Sequence, residues 1–146
     1  MAILTKRLLE KICNSVFLEL GPLHSELVYG NAIEHELKKS EIDYSREKQV
    51  AIMYDGSVVG QSRLDFYAEP DMVIELKASP TNRFNGDGTR NNQRGPLKDR
   101  NQVIRYLQCL KLKKGYLVNF NVGVKAEVEI DEIFNPLLSD EIGGLI

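Results

Sequence analysis

Ser62-Arg63-Leu64-Asp65-Phe66, followed after a short gap by Val73-Ile74-Glu75-Leu76-Lys77, is the stretch on which the reading of this chain turns. Both pieces read as short strands, and in a strand alternate side chains share a face. Glu75 and Lys77 therefore point one way, Ile74 and Leu76 the other. Asp65 is flanked by Leu64 and Phe66, which are expected to face opposite to it. With the apolar faces turned to the core, Asp65, Glu75 and Lys77 meet on the other side. Two carboxylates and an ammonium at one point of a sheet suit a Mg²⁺ site for phosphodiester hydrolysis. They also suit a solvated salt-bridging face, so the surrounding sequence has to weigh between the two.

Before this stretch the patterns are helical. Leu9, Ile12, Val16 and Leu20 form one stripe over about Thr5 to Leu20. Gly21-Pro22 ends that helix and starts a second, expected from about Leu23 to Lys39 with Tyr29, Ile33 and Leu37 as its buried stripe. Beyond Ser40, Gln49 to Tyr54 and Val58 to Tyr67 flank Asp55-Gly56, a type I′ hairpin signal. Asp71 to Ala78 completes an antiparallel meander. Residues 79–96 are polar and rich in Asn, Gly and Arg, a long loop of the functional or disordered kind. Leu97 to Lys113 is helical with Val103, Leu107 and Leu110 buried, and Gly115 to Phe120 and Ala126 to Ile130 are two more strands. The expected order is α-α-β-β-β-α-β-β, an α/β fold with a central mixed sheet flanked by helices. One domain over residues 1–135 and a tail over 136–146 are expected.

Bulk properties narrow the function classes. A chain of 146 residues is long enough for one core without staples. Its 42% hydrophobic and 27% charged residues are ordinary for a globular protein. A net charge of −2 argues against a general coat for nucleic acid but leaves room for a local basic groove. Cys13 and Cys109 lie among apolar residues, so the chain reads as an intracellular one without a disulfide framework. His24 and His35 have no zinc-type spacing, and no apolar run reaches membrane-spanning length.

Further residues gather round the candidate site. Glu26 falls in line with the buried stripe of the second helix, where a carboxylate is costly unless paired or bound to a cation. It is expected partly buried and turned toward the sheet. Gln102 and Tyr106 are four apart beside the stripe of the third helix. From Ser79 to Asn101 there are five basic residues (Arg83, Arg90, Arg94, Lys98 and Arg100) against Asp87 and Asp99, a local charge of +3 directly after Lys77.

Taken together, Glu26-x-x-Tyr29, Asp65, Glu75-x-Lys77 and Gln102-x-x-x-Tyr106-Leu107 resemble the GxxExxY proteins of the PD-(D/E)XK nuclease-like superfamily. Leu20-Gly21-Pro22 and Gly115-Tyr116-Leu117-Val118-Asn119-Phe120 support the match, which runs from about Lys6 to Ile130. The resemblance implies a restriction-endonuclease-like core and hydrolysis of DNA or RNA with Mg²⁺ or Mn²⁺. It implies Asp65 and Glu75 as metal ligands, Lys77 as the polar catalytic residue, and Glu26 and Gln102 as accessory residues, Glu26 near the metal. Arg83, Arg90, Arg94, Lys98, Arg100 and Tyr106 are the expected nucleic-acid contacts. Two features depart from the family: Leu23 stands where the motif has its glycine, and the loop before Gln102 is longer than usual. A non-catalytic nucleic-acid-binding or assembly module on the same fold is the alternative. No membrane partner is expected, and a homodimer is left open.

Overall fold

A computed structural model describes residues 2–80, 97–121 and 126–138. Helix α1 (Lys6–Leu20) starts where the Thr5 hydroxyl accepts the Leu8 N–H at 3.1 Å. It stops at Gly21, whose φ of +70° suits a residue without Cβ and whose N–H closes on the Phe17 carbonyl at 2.8 Å. Helix α2 spans Glu26–Lys39, three residues shorter at its start than the sequence suggests. Leu23 has φ +79°, outside any right-handed helix, and Ser25 caps the first turn by accepting the Val28 N–H.

The meander follows as β1 (Tyr44–Tyr54), β2 (Ser57–Ala68) and β3 (Met72–Lys77), with Asp55 and Gly56 at φ +51° and +78° in the hairpin turn. Helix α3 (Leu97–Leu110) crosses over to β4 (Lys114–Asn121), which pairs parallel to β3 and antiparallel to β5 (Glu127–Phe134). It ends earlier than Lys113 because Lys111, at φ +57°, turns the chain back so that Leu112 N–H reaches the Leu107 carbonyl at 2.9 Å. The sheet order is β1-β2-β3-β4-β5. This is the helix-flanked mixed sheet of a restriction-endonuclease-like fold, in the element order read from the sequence.

The sheet has a core on each side. Ile74, Leu76, Tyr116, Val118 and Phe120 pack with α1 and α2, and Val73, Leu117 and Ile133 pack with Val103, Tyr106 and Leu107 of α3. Burying each of these side chains contributes roughly 1.5–3 kcal/mol. Tyr29 of α2 stacks on Phe120 with ring centroids 4.2 Å apart, and its hydroxyl donates to the Gly21 carbonyl at 2.6 Å. One side chain thus joins the sheet, α2 and the α1–α2 connection. That tie fixes where α2 begins, and so where Glu26 is presented.

The alternation of faces fails at one point, and it corrects the expectation for Asp65. Phe66 packs into the core under α1 and α2, but Leu64 packs into the core under α3. On the neighbouring strand the switch recurs: Arg46 lies over the Phe66 ring while Val50 joins the α3 side. Between them Glu47 has φ +56°, and the β1–β2 ladder passes from Arg46↔Phe66 to Lys48↔Leu64 without pairing Glu47 with Asp65. A left-handed residue inside a strand breaks the pleat. Leu64 and Phe66 therefore lie on opposite faces, and Asp65 sits at the inversion instead of opposite both.

Candidate active site

Strands β2 and β3 pair at three positions, from Phe66↔Ile74 to Ala68↔Met72. The next opposed positions are Asp65 and Glu75, and there the ladder gives way to side chains. Asp65 Oδ2 accepts the Leu76 N–H at 2.7 Å, and Glu75 Oε1 accepts the Asp65 N–H at 3.2 Å. Each carboxylate occupies the place of a missing backbone partner, so both are held at the point where the strands part.

Glu75 is almost wholly buried, at 2% exposure. Burial first, then the hydrogen bond and charge of the Asp65 carboxylate, push its carboxyl up to about 9, against the opposing pull of Lys77 and of the Asp65 N–H. Two carboxylates this close cannot both ionise cheaply without a proton or a cation between them. The donors are all oxygen, which suits a hard cation such as Mg²⁺ or Mn²⁺ over zinc. Among the described residues no group of three or more His, Cys, Asp or Glu side chains converges for a metal. Mg²⁺ accepts such a sparse set, because it commonly takes one or two carboxylates and keeps several waters. Asp65 and Glu75 therefore fit that ion.

Lys77 follows on β3. Its Nζ lies 3.8 Å from Asp99 Oδ1, with the two side chains 25% and 12% exposed. Asp99 occupies the first turn of α3, where the helix dipole favours a carboxylate. From sequence this Asp counted only as an acid inside a basic loop; its place in the first turn of a helix that follows Lys77 was the available signal. Asn119, opposite Lys77 in the β3–β4 register, was also missed. Its side chain accepts the Ser79 N–H, donates to the Ser79 backbone carbonyl at 3.0 Å and donates to Glu129 Oε1 at 3.0 Å. A buried Asn between Val118 and Phe120 was the hint, and its effect is to fix the chain just beyond Lys77.

Glu26 departs from expectation in burial but not in direction. It is exposed, as a first-turn helix residue can be, yet it lines a cleft of about 250 Å³ with Arg46, Glu47, Arg63, Asp65 and Leu76. Gln102 and Tyr106 come together: Gln102 Nε2 donates to the Tyr106 hydroxyl at 2.9 Å, and that hydroxyl donates to the Arg63 carbonyl at 2.6 Å. Tyr106 is fully buried, which corrects its assignment as a nucleic-acid contact. Its burial leaves it no surface to offer, and it pins β2 two residues before Asp65. Lys98 is exposed at the start of α3 and Arg100 is half-buried; Arg83, Arg90 and Arg94 lie outside the described residues.

A family model described as the PD-(D/E)XK nuclease superfamily matches residues 4–87, more than half of the chain. The chain belongs to that superfamily. The matched segment contains Glu26, Asp65, Glu75 and Lys77 and stops before Gln102. Among solved structures the chain is similar to the crystal structure of SSO0001, with 22% identity and a TM-score of 0.54 over 75% of this chain and 50% of that one. At that identity the likeness shows the fold, and this chain spans about half the length of that protein. No curated protein matches the chain. Among the described residues no helix is long and apolar enough to cross a membrane.

Proposed function

We propose that the protein is a nuclease that hydrolyses phosphodiester bonds of DNA or RNA with Mg²⁺ or Mn²⁺. The observation that carries this reading is the pairing of Asp65 with a buried Glu75 at the point where β2 and β3 part. Asp65 and Glu75, with the Leu76 carbonyl, would hold the ion, and Glu26 reaches the same cleft from α2. When bound, the ion supplies an acidified water and charge to offset that of the scissile phosphate. Lys77 offers its ammonium to the phosphate oxygens, where charge gathers as the bond breaks. Asp99 restrains that ammonium in advance of substrate. Gln102, through Tyr106, holds the β2 backbone that carries Asp65.

The finer assignment to the GxxExxY proteins belongs to the same proposal. It is supported by Leu23, which adopts a positive φ at the place of the motif's glycine. The domain is proposed to span residues 1–135. Asn135 supports that limit, because its side chain donates to the Leu107 and Leu112 carbonyls and so belongs to the core. An intracellular location is proposed from the two free thiols, Cys13 and Cys109. Lys98, Arg100 and the three arginines Arg83, Arg90 and Arg94, which lie outside the described residues, remain proposed phosphate contacts. Mn²⁺ calorimetry on wild type and Asp65→Asn tests the metal site. The reading expects one binding event that the substitution weakens by at least tenfold; equal binding by both proteins would remove Asp65 from it.

A further inference from the structure

The cleft on the α2 side of Asp65 contains a guanidinium that the reading above leaves without a task. Arg46, on β1, is held from three directions. Its Nη1 donates to Asn31 Oδ1 at 2.7 Å and to Glu34 Oε1 at 3.1 Å, and its Cζ lies 5.4 Å from the centroid of the Phe66 ring. Among the described residues both of its hydrogen bonds use Nη1, and Nη2 and Nε make none. The bound end fixes the plane of the group, and the other end is left to the cleft that Asp65 and Glu26 line.

Helix α2 makes room for this arrangement. A Cβ at Gly30 would stand 2.7 Å from Arg46 Nη2, closer than non-bonded atoms approach. A glycine in a helix interior costs about 0.5–1 kcal/mol relative to alanine. Gly30 has an ordinary helical backbone, so conformation does not require it there; the passage of Arg46 does. The cleft therefore carries two cations, Arg46 and Arg63, beside the carboxylates Glu26, Glu47 and Asp65. A partly desolvated, pre-oriented guanidinium with free donors is suited to bind a phosphate in the fork geometry that lysine lacks.

We propose that Arg46 grips a backbone phosphate of the nucleic-acid substrate, and that the strand enters the site along the cleft between α2 and the β1–β2 pair. This rests on the nuclease reading for its substrate class. Arg46 is then a positioning residue that sets the substrate relative to Asp65, and Gly30 is the gap through which it reaches.

The test is binding of a fluorescein-labelled single-stranded 20-mer, titrated by anisotropy in EDTA over a range of salt concentrations, with cleavage in Mn²⁺ measured in parallel. Arg46→Met keeps the apolar stem and is expected to weaken affinity about tenfold and to lower the salt slope by roughly 0.7–0.9, the share of one phosphate contact. Gly30→Ala is the sharper variant. The atoms that must yield to it are the flexible end of Arg46, so the protein is expected to melt at or above the wild-type temperature while losing affinity and slope as Arg46→Met does. Lys11→Met, on the exposed side of α1, is expected to leave both unchanged.

A merely structural Arg46 would lower the melting temperature of Arg46→Met and leave the slope of both variants at the wild-type value; that result overturns the proposal. Should Arg46→Met fail to fold, the slope of Gly30→Ala decides alone. Wild-type protein that binds but cuts neither single nor double strands of DNA or RNA, with the slope reduced in Gly30→Ala, overturns the nuclease reading and upholds the grip of Arg46. Wild-type protein that cuts while both variants keep their slope does the reverse. A wild-type protein that binds no oligonucleotide in EDTA overturns the grip of Arg46, whatever it cuts in Mn²⁺.

Discussion

Glu75 shows how a single side chain can set conditions for the whole site. Its carboxyl is raised to about 9 in the folded chain, against an ordinary value of 4.5. Between those values the folded protein keeps a proton that the unfolded chain has released. Stability from this group is therefore complete below about pH 4.5 and drains away as the pH rises toward 9. Glu75→Gln cannot ionise and should escape that loss. In EDTA its stability advantage over wild type is expected to grow by a few kcal/mol between about pH 5 and about pH 8.5. Denaturant unfolding at the two pH values measures it, and parallel pH profiles would show that Glu75 is not held neutral.

A second residue carries strain of a different origin. Leu23 is 83% exposed and has φ +79°. A side chain costs roughly 1–2 kcal/mol there, and glycine loses about 0.5–1 kcal/mol of that advantage through its freer unfolded chain. Leu23→Gly is thus expected to stabilise by about 0.5–1 kcal/mol, read as a rise in melting temperature. A fall would mean that the leucine side chain is making contacts which outweigh the strain.

At the scale of elements, the site depends on how α3 grips β2. Tyr106→Phe removes the hydroxyl that links Gln102 to the Arg63 carbonyl. It is expected to cost about 1–3 kcal/mol, since a part-buried carbonyl and amide lose their partner. A cost below about 0.5 kcal/mol in chemical denaturation would mean that water replaces the bond freely.

The same scale divides what could be read from the sequence from what could not. The stripes of α1 and α2, the Asp55-Gly56 turn and the order of all eight elements were legible, because each rests on local periodicity or turn chemistry. Asp65, Glu75 and Lys77 stood out for the same reason, as charges interrupting apolar strands. The face inversion at Glu47 and Asp65 was not legible, since strand reasoning assumes an unbroken pleat and nothing in Glu47 as a residue announces a positive φ. Nor could local pattern show that Tyr106 is sealed in the core, that Glu26 stays in solvent, or that Asp99 takes Lys77 as its partner. Those depend on how separate elements dock.

Over the whole molecule, one sheet with a core on each face sets two groups of side chains on either side of the Asp65–Glu75 pair. The α2 side offers a cleft with Glu26, Arg46, Arg63 and Asp65, and the α3 side offers Lys77 restrained by Asp99. Glu75 lies between, buried and joined to Asp65 through the backbone. The central claim is that this junction cuts nucleic acid with a divalent ion. Its most direct test is the rate of Mn²⁺-dependent cleavage of labelled single- and double-stranded DNA and RNA by wild type, Asp65→Asn and Lys77→Met. The account predicts cleavage of at least one substrate by wild type, abolished by EDTA and by Asp65→Asn, and slowed on the order of 10²–10³-fold in Lys77→Met with its Mn²⁺ affinity intact. Cleavage at the wild-type rate in both variants, or none by wild type on any substrate, would contradict it.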